Sequence, residues 1–232
     1  AKHDVGQPYV GYSTENLERI REMSDMAMAL SRDVMQGMEH FRVVIQPVVS
    51  AENGEILGGE VLMRWTFQGQ DVSPAVFIPL LEKDGTIFQA GRWVFEQAVR
   101  SCSRLTAYLP EFYLTFNVSL CQLSDSRLPE FMAQTLRKYR LDGRHLVAEM
   151  TESSFDEQPE KLREFVDACD RMGIRMALDD FGSGYSSMRM LLQYPSSIIK
   201  LDRSLLPGIT EWDEKLHFIR SIGYPCHQFG KR

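Results

Sequence analysis

Six segments of this sequence that read as β-strands each finish in a side chain able to bind a cation or a phosphate. The clearest is Met176-Ala-Leu-Asp-Asp-Phe-Gly-Ser-Gly-Tyr-Ser-Ser187, where an apolar run meets two adjacent carboxylates and then a glycine-rich turn. Gly182 and Gly184 permit a sharp turn and a close approach of backbone to ligand. Adjacent acids ahead of a glycine also serve as helix caps, so this stretch gains its meaning from the others. Gln46 ends the first strand, and Glu60 and Arg64 lie on the second. Asn117 ends the third just before Ser119, Glu149 and Glu152 the fourth, Asp179 and Asp180 the fifth, Lys200 and Asp202 the sixth. Carboxylates gathered on one rim repel one another unless a cation neutralises them. Glu60, Asn117, Glu149 and Asp179 could hold one hard cation through oxygen, and Asp179 could bridge to a second that Asp180 helps to hold. Two such ions can lower the pKa of a shared water and steady both oxygens of an in-line phosphoryl displacement. Arg64 and Lys200 would add positive charge for phosphate oxygens or position the water.

Positioning these groups requires strands with a common sense of direction. A helix is expected over 14–39, with Leu17, Ile20, Ala27, Leu30 and Val34 near helical spacing. Phe41–Val49 reads as a strand in which Pro47 suits an edge or an end. Asn53-Gly54 between two apolar runs signals a hairpin, so Glu55–Trp65 should return antiparallel. Helices follow at Pro74–Asp84 and Phe88–Leu109, then a strand at Tyr113–Val118 and a helix at Pro129–Tyr139. A strand at His145–Met150, a helix at Pro159–Met172 and a strand at Arg175–Leu178 come next. The last elements are a helix at Ser186–Gln193, a strand at Ser197–Leu201 and a helix at Trp212–Gln228, which Pro225 should break or kink. Strands alternating with helices predict parallel β-α units.

The 232 residues are 44% hydrophobic and 25% charged, enough for one sizeable core. A net charge of −6 without a basic stripe argues against a nucleic-acid polymer as partner. No apolar run approaches the roughly 18 residues of a membrane span, and no signal peptide is visible. The expected location is the cytoplasm, either free or as the cytoplasmic part of a membrane-anchored sensor. The four cysteines are scattered and the five histidines lack ligand spacing, so oxygen-bound Mg²⁺, Mn²⁺ or Ca²⁺ fits better than zinc.

At these same residues the sequence resembles the EAL-domain family, bacterial phosphodiesterases acting on cyclic di-GMP. The resemblance runs from about Phe41 to Arg232 and rests on Gln46-Pro47, Asn117-Val118-Ser119, Glu149-Met-Thr-Glu-Ser153, Asp179-Asp-Phe-Gly-Ser-Gly-Tyr-Ser-Ser187 and Lys200-Leu-Asp-Arg-Ser204. The family's signature tripeptide stands here as Glu60-Val61-Leu62, with Val in place of the central Ala, followed by Met63-Arg64-Trp65. The resemblance implies an α/β fold, a TIM-like (β/α) barrel with an antiparallel first strand. It implies hydrolysis of cyclic di-GMP to linear pGpG with two Mg²⁺ or Mn²⁺ ions. Glu60, Asn117, Glu149 and Asp179 would bind the first, Asp179 and Asp180 the second. Lys200, with Glu60 and Asp179, would be catalytic; Gln46, Leu62, Arg64 and Asp202 would meet the dinucleotide. Glu152 would anchor the loop carrying Asp180 to Tyr185, a loop the family links to dimerisation.

Residues 1–9 are similar to the closing strand of a GGDEF domain. The expected organisation is therefore 1–40 as the tail of an upstream domain plus a connector helix, and 41–232 as the EAL domain. A barrel of this kind has eight strands and about 250 residues. The family's seventh strand, whose Glu completes the second metal site, would begin just after Lys231-Arg232. On this reading the chain keeps the first metal site, lacks about two C-terminal strands and is itself inactive. Its open edge would be covered by a partner surface, a second copy in a homodimer being the expectation. The alternative function is a degenerate module that binds cyclic di-GMP or a protein partner without catalysis.

Overall fold

Chain direction reverses at Asn53-Gly54, and, the short hairpin strand at Gln70–Val72 aside, the described strands that follow run parallel to the one this turn produces. The computed structural model describes residues 14–151, 158–182, 196–205, 214–228 and 230–231. Helix α1 (Thr14–Met35) leads into strand β1 (Phe41–Val49). Gly54, with φ 73°, donates its N–H to the Ser50 carbonyl at 2.9 Å and closes the turn. Strand β2 (Ile56–Phe67) then pairs antiparallel with β1, setting Gln46 opposite Glu60, Val44 opposite Leu62 and Arg42 opposite Arg64. A short strand β3 (Gln70–Val72) folds back on the end of β2. It is too short to carry a recognisable alternation. Strands β4 (Tyr113–Asn117), β5 (Leu146–Thr151), β6 (Arg175–Phe181) and β7 (Ile198–Leu201) follow in parallel, in the order β1-β2-β4-β5-β6-β7. This is the wall of a TIM-like barrel whose first strand is inverted. The expected helix at 186–193 lies outside the described residues.

The helices α2 (Pro74–Asp84), α3 (Ile87–Leu105), α4 (Leu128–Tyr139) and α5 (Pro159–Arg171) link the strands, and α6 (Glu214–Gln228) follows β7. Pro74 and Pro159 stand at the first helical position, where a fixed φ and a missing N–H cost nothing. Along α3, Ile87, Ala90, Val94, Ala98 and Cys102 recur at helical spacing and are all buried. Val94, Ala98 and Cys102 meet the outward face of the sheet, so that Val61, Leu114, Phe116, Ala148, Met150 and Met176 share one core with Phe95, Met132 and Phe165. Because successive strand residues point to opposite faces, Glu60, Asn117, Glu149 and Asp179 must face inward. Glycine lets β2 fit between its neighbours: a Cβ at Gly58 would lie 2.6 Å from the Tyr113 carbonyl oxygen, and one at Gly59 2.5 Å from the Ile45 side chain. A second core joins α1 to the hairpin through Leu30, Val34, Phe41, Trp65, Phe77 and Leu81. There the buried Asp33 accepts a hydrogen bond from Trp65 Nε1 at 2.9 Å.

Against the sequence expectation β3 is an added strand, α1 stops at Met35 rather than Glu39 and α3 at Leu105 rather than Leu109, and β6 and α6 differ as well. Strand β6 continues three residues past Leu178, through both aspartates to Phe181. Its register with β7 pairs Leu178 with Ile199 and Phe181 with Leu201, so β6 carries one extra residue, a β-bulge. Asp180 takes up the extra length with φ 54°. Strict alternation would point Phe181 inward. The bulge turns it outward instead, into a buried cluster with Leu178, Ile222 and Cys226. Asp and Asn tolerate this left-handed backbone far better than a β-branched residue. Asp180→Asn should therefore melt with the parent, whereas Asp180→Val should lose about 1–2 kcal/mol in thermal or urea denaturation. Equal stability of the two variants would contradict the bulge geometry.

Pro225 does not end α6, which runs on to Gln228. Proline removes one backbone donor near the end of the helix, at a typical cost of ~3 kcal/mol. The flanking Ile222 and Cys226, both buried against Leu178 and Phe181, hold the helix together across it.

Candidate active site

Lys200, on the inner face of β7, is the hub of the rim. Its Nζ donates to Glu149 Oε2 at 2.6 Å and to Glu60 Oε2 at 3.0 Å, and lies 3.2 Å from Asp179 Oδ1. A lysine ammonium has three donors, and here three carboxylates from β2, β5 and β6 surround it. Asn117, at the end of β4, donates from Nδ2 to Glu60 Oε1 at 3.0 Å and fixes that carboxylate. The Asp180 N–H donates to Asp179 Oδ1 at 3.0 Å, so the bulge also orients its neighbour. Ligand oxygens of Glu60, Glu149 and Asp179 all lie within 4.8 Å of one another.

Glu149 is the most constrained of these groups. Its side chain is wholly buried, against 28% exposure for Lys200. Burial pushes its carboxyl up to about 7, with the Glu60 charge adding to the rise and Lys200 opposing it. Burial alone would depress the Lys200 ammonium, but Glu149, Asp179 and Glu60 together outweigh it and hold its pKa above the ordinary lysine value. Asp180 is raised by burial and then by the charges of Asp179 and Asp202. Asp202 is lowered, chiefly by hydrogen bonding to Ser204, whose N–H it accepts at 2.8 Å.

Three acids around one ammonium leave negative charge in excess, and the buried Glu149 carboxyl has little beyond Lys200 and the neighbouring Thr115 hydroxyl to hold it. A hard divalent cation with oxygen ligands answers both conditions. The carboxylates of Glu60, Glu149 and Asp179, with Asn117 beside Glu60, therefore fit Mg²⁺ or Mn²⁺.

The remaining expected residues divide by place. Gln46, Leu62 and Arg64 share the inner face with Glu60 through the β1–β2 register and form the wall beside the acids. Arg64 donates from Nη1 to the Met63 carbonyl at 2.9 Å. Asp202 sits just beyond β7 and within the electrostatic reach of Asp180. Glu152 and most of the glycine-rich loop lie outside the described residues. Sequence reading passed over Arg42 and Asp71, which form a two-pronged ion pair at 3.0 and 2.5 Å on the same wall. The available signal was parity: Arg42 lies four residues from Gln46 and so shares its face.

A barrel wall gathering acids, an amide and a lysine at one rim defines the class as an acid-rimmed TIM-like barrel domain. The family model for the EAL domain matches residues 27–232, and the chain belongs to that family. The match begins within α1, whose Leu30 and Val34 are buried against the hairpin. Among similar proteins is the bifunctional diguanylate cyclase/cyclic di-GMP phosphodiesterase MucR of Pseudomonas aeruginosa, 32% identical over 202 residues, covering 84% of this chain and 29% of MucR. The biofilm architecture maintenance protein MbaA of Vibrio cholerae is 29% identical over 228 residues, covering 97% of this chain and 28% of MbaA. The chain thus spans under a third of the length of these relatives. Of solved structures, the PaMucR phosphodiesterase in complex with c-di-GMP superposes with a TM-score of 0.72 at 29% identity, over 84% of this chain and 83% of that one. The EAL enzyme Bd1971 bound to cAMP and cyclic di-GMP gives a TM-score of 0.80 at 25% identity, over 96% of this chain and 60% of that one.

Proposed function

We propose that this site hydrolyses cyclic di-GMP to linear pGpG. Glu60, Asn117, Glu149 and Asp179 would hold one Mg²⁺ or Mn²⁺, and Asp179 and Asp180 would contribute to a second. The observation that carries the reading is the convergence of three carboxylates, one of them the wholly buried Glu149, on the single ammonium of Lys200. Family membership and the activity named for MucR support the choice of substrate. The ions, when bound, supply charge neutralisation at the phosphate and a lowered pKa for water.

The chain's own residues do the rest. Lys200, protonated at neutral pH, donates to a water or to a phosphate oxygen and sets its position. Asn117 holds Glu60 in one orientation, which keeps the donor set preorganised. Gln46 and Leu62 present an amide and an apolar surface to the dinucleotide, Arg64 offers a fixed positive charge, and Asp202 closes the far side.

Incubation of the EAL domain carrying all eight barrel strands with cyclic di-GMP and Mg²⁺ or Mn²⁺ tests the proposal, the 232-residue chain alone being expected to bind the dinucleotide with little or no turnover. Linear pGpG should form, none should form in excess chelator, and Ca²⁺ should inhibit because its longer, looser coordination misplaces the water. Glu60→Ala should lower turnover at least about 100-fold, the upper end of what a residue merely supporting a metal ligand contributes. Undiminished turnover in chelator would sink the metal reading. Tight binding of cyclic di-GMP without product would instead assign the site to a non-catalytic binding module.

A further inference from the structure

Strands β1 and β2 set Arg42 directly opposite Arg64. Residues opposite one another in an antiparallel pair share a face, and like charges so placed repel. The face is the ligand face, because Gln46 meets Glu60, Val44 meets Leu62 and Arg42 meets Arg64 on alternate residues. The two guanidinium groups therefore belong to the same wall, about 13 Å along the strand from Glu60 at ~3.3 Å per residue.

They are treated differently. Arg42 donates from Nη1 and Nη2 to Asp71 Oδ1 and Oδ2 at 3.0 and 2.5 Å, a fork-on-fork pair. Arg42 Nη1 also donates to Thr66 Oγ1 at 3.1 Å, and that hydroxyl donates to Asp71 Oδ1 at 3.1 Å. The Arg42 bonds hold the Asp71 carboxyl below its ordinary range, with Thr66 and the Arg64 charge contributing less. Arg64, in contrast, donates to the carbonyl of its neighbour Met63. The acid arrives on β3, whose three residues pair with Trp65–Phe67 and bring Asp71 opposite Thr66.

We infer that Asp71 is a positioning residue for Arg64: by pairing with Arg42 it relieves the repulsion between the two guanidinium groups and leaves Arg64 available on the ligand wall. Strand β3 is the element that delivers this counter-charge. The inference rests on the proposed function, in which Arg64 meets the dinucleotide.

A double-mutant cycle on the EAL domain carrying all eight barrel strands, comprising parent, Asp71→Asn, Arg42→Gln and the double variant, tests it. The readouts are Kd and KM for cyclic di-GMP, kcat, Kd for Mn²⁺ and the melting temperature. Asp71→Asn should raise Kd and KM about 3–5-fold, as befits a half-exposed pair. It should leave kcat and Mn²⁺ affinity within about twofold, since the acids lie several residues down the wall. Arg42→Gln should also weaken binding, because the freed Asp71 carboxylate then acts on Arg64, and the double variant should return to within about twofold of the parent. Tighter binding by Asp71→Asn would mean that a freed Arg42 is itself a ligand and would overturn the inference. A double variant as weak as Asp71→Asn would overturn it too, by showing that Asp71 acts only as an anchor for β3. If the parent binds no cyclic di-GMP, the proposed function fails, and the melting temperatures decide the relief of repulsion by themselves. Asp71→Asn should then melt lower and the double variant should recover; no recovery refutes that relief.

Discussion

Glu149→Gln is expected to abolish Mn²⁺ binding at the rim while leaving the metal-free chain at least as stable as the parent at neutral pH. The glutamine keeps the shape of the side chain and an oxygen that can still accept from Lys200, so packing in β5 is retained. It removes a charge that is wholly buried and only partly compensated. The folded carboxyl, held near 7, binds its proton more tightly than the unfolded one near 4.5, so metal-free stability should fall as pH rises from about 4.5 through 7. At roughly 1.4 kcal/mol per unit the loss is on the order of 1–3 kcal/mol. The variant lacks this slope. Melting curves in chelator between pH 5 and 8, with a Mn²⁺ titration of both proteins, check both halves. A variant that binds Mn²⁺ like the parent removes Glu149 from the ligand set.

Lys200→Met should show the opposite stability behaviour and the largest loss of activity short of removing a ligand. Its ammonium is the counter-charge for Glu60, Glu149 and Asp179. Breaking a buried ion pair by deleting one partner typically costs 3–5 kcal/mol. With Lys200 partly exposed, about 3 kcal/mol is expected in the metal-free protein. A divalent cation can take over the neutralising role, so saturating Mn²⁺ should raise the melting temperature of the variant by more than it raises the parent's. Turnover of cyclic di-GMP should fall ~10²–10⁴-fold, the range for a group that handles protons or positions the nucleophile. If the variant melts with the parent in chelator, Lys200 is not the counter-ion and the electrostatic account of the rim is wrong.

Local chemistry made the hairpin at Asn53-Gly54 and the alternation of strands and helices readable, because a turn type and a hydrophobic period are written in adjacent residues. The acids at Glu60, Glu149 and Asp179 were readable for the same reason: each interrupts an apolar run. The partnership of Lys200 with three carboxylates was not, since it joins residues up to 140 positions apart. The end of β6 was misplaced at Leu178 because two charged residues resemble the edge of a strand, and only pairing with β7 shows that the strand absorbs them in a bulge. Strand β3 has three residues, too few for a period, and its Asp71 gains meaning only from the β1–β2 register. Pro225 obeys a local rule that the packing of Ile222 and Cys226 overrides.

The extra residue in β6 has a further consequence. It acts as a half-period phase shift in the strand, applied between the reactive side of the sheet and its greasy side. Upstream of the shift, odd-numbered residues such as Asp179 look into the barrel; downstream, odd-numbered Phe181 looks out toward α6. One backbone setting therefore governs two things usually adjusted separately, the spacing of the acids and the seating of a helix. A length change at this point cannot be absorbed as loops absorb theirs, because it would exchange an aromatic ring for a carboxylate at the rim. The rim and the outer shell of this barrel must vary together or not at all.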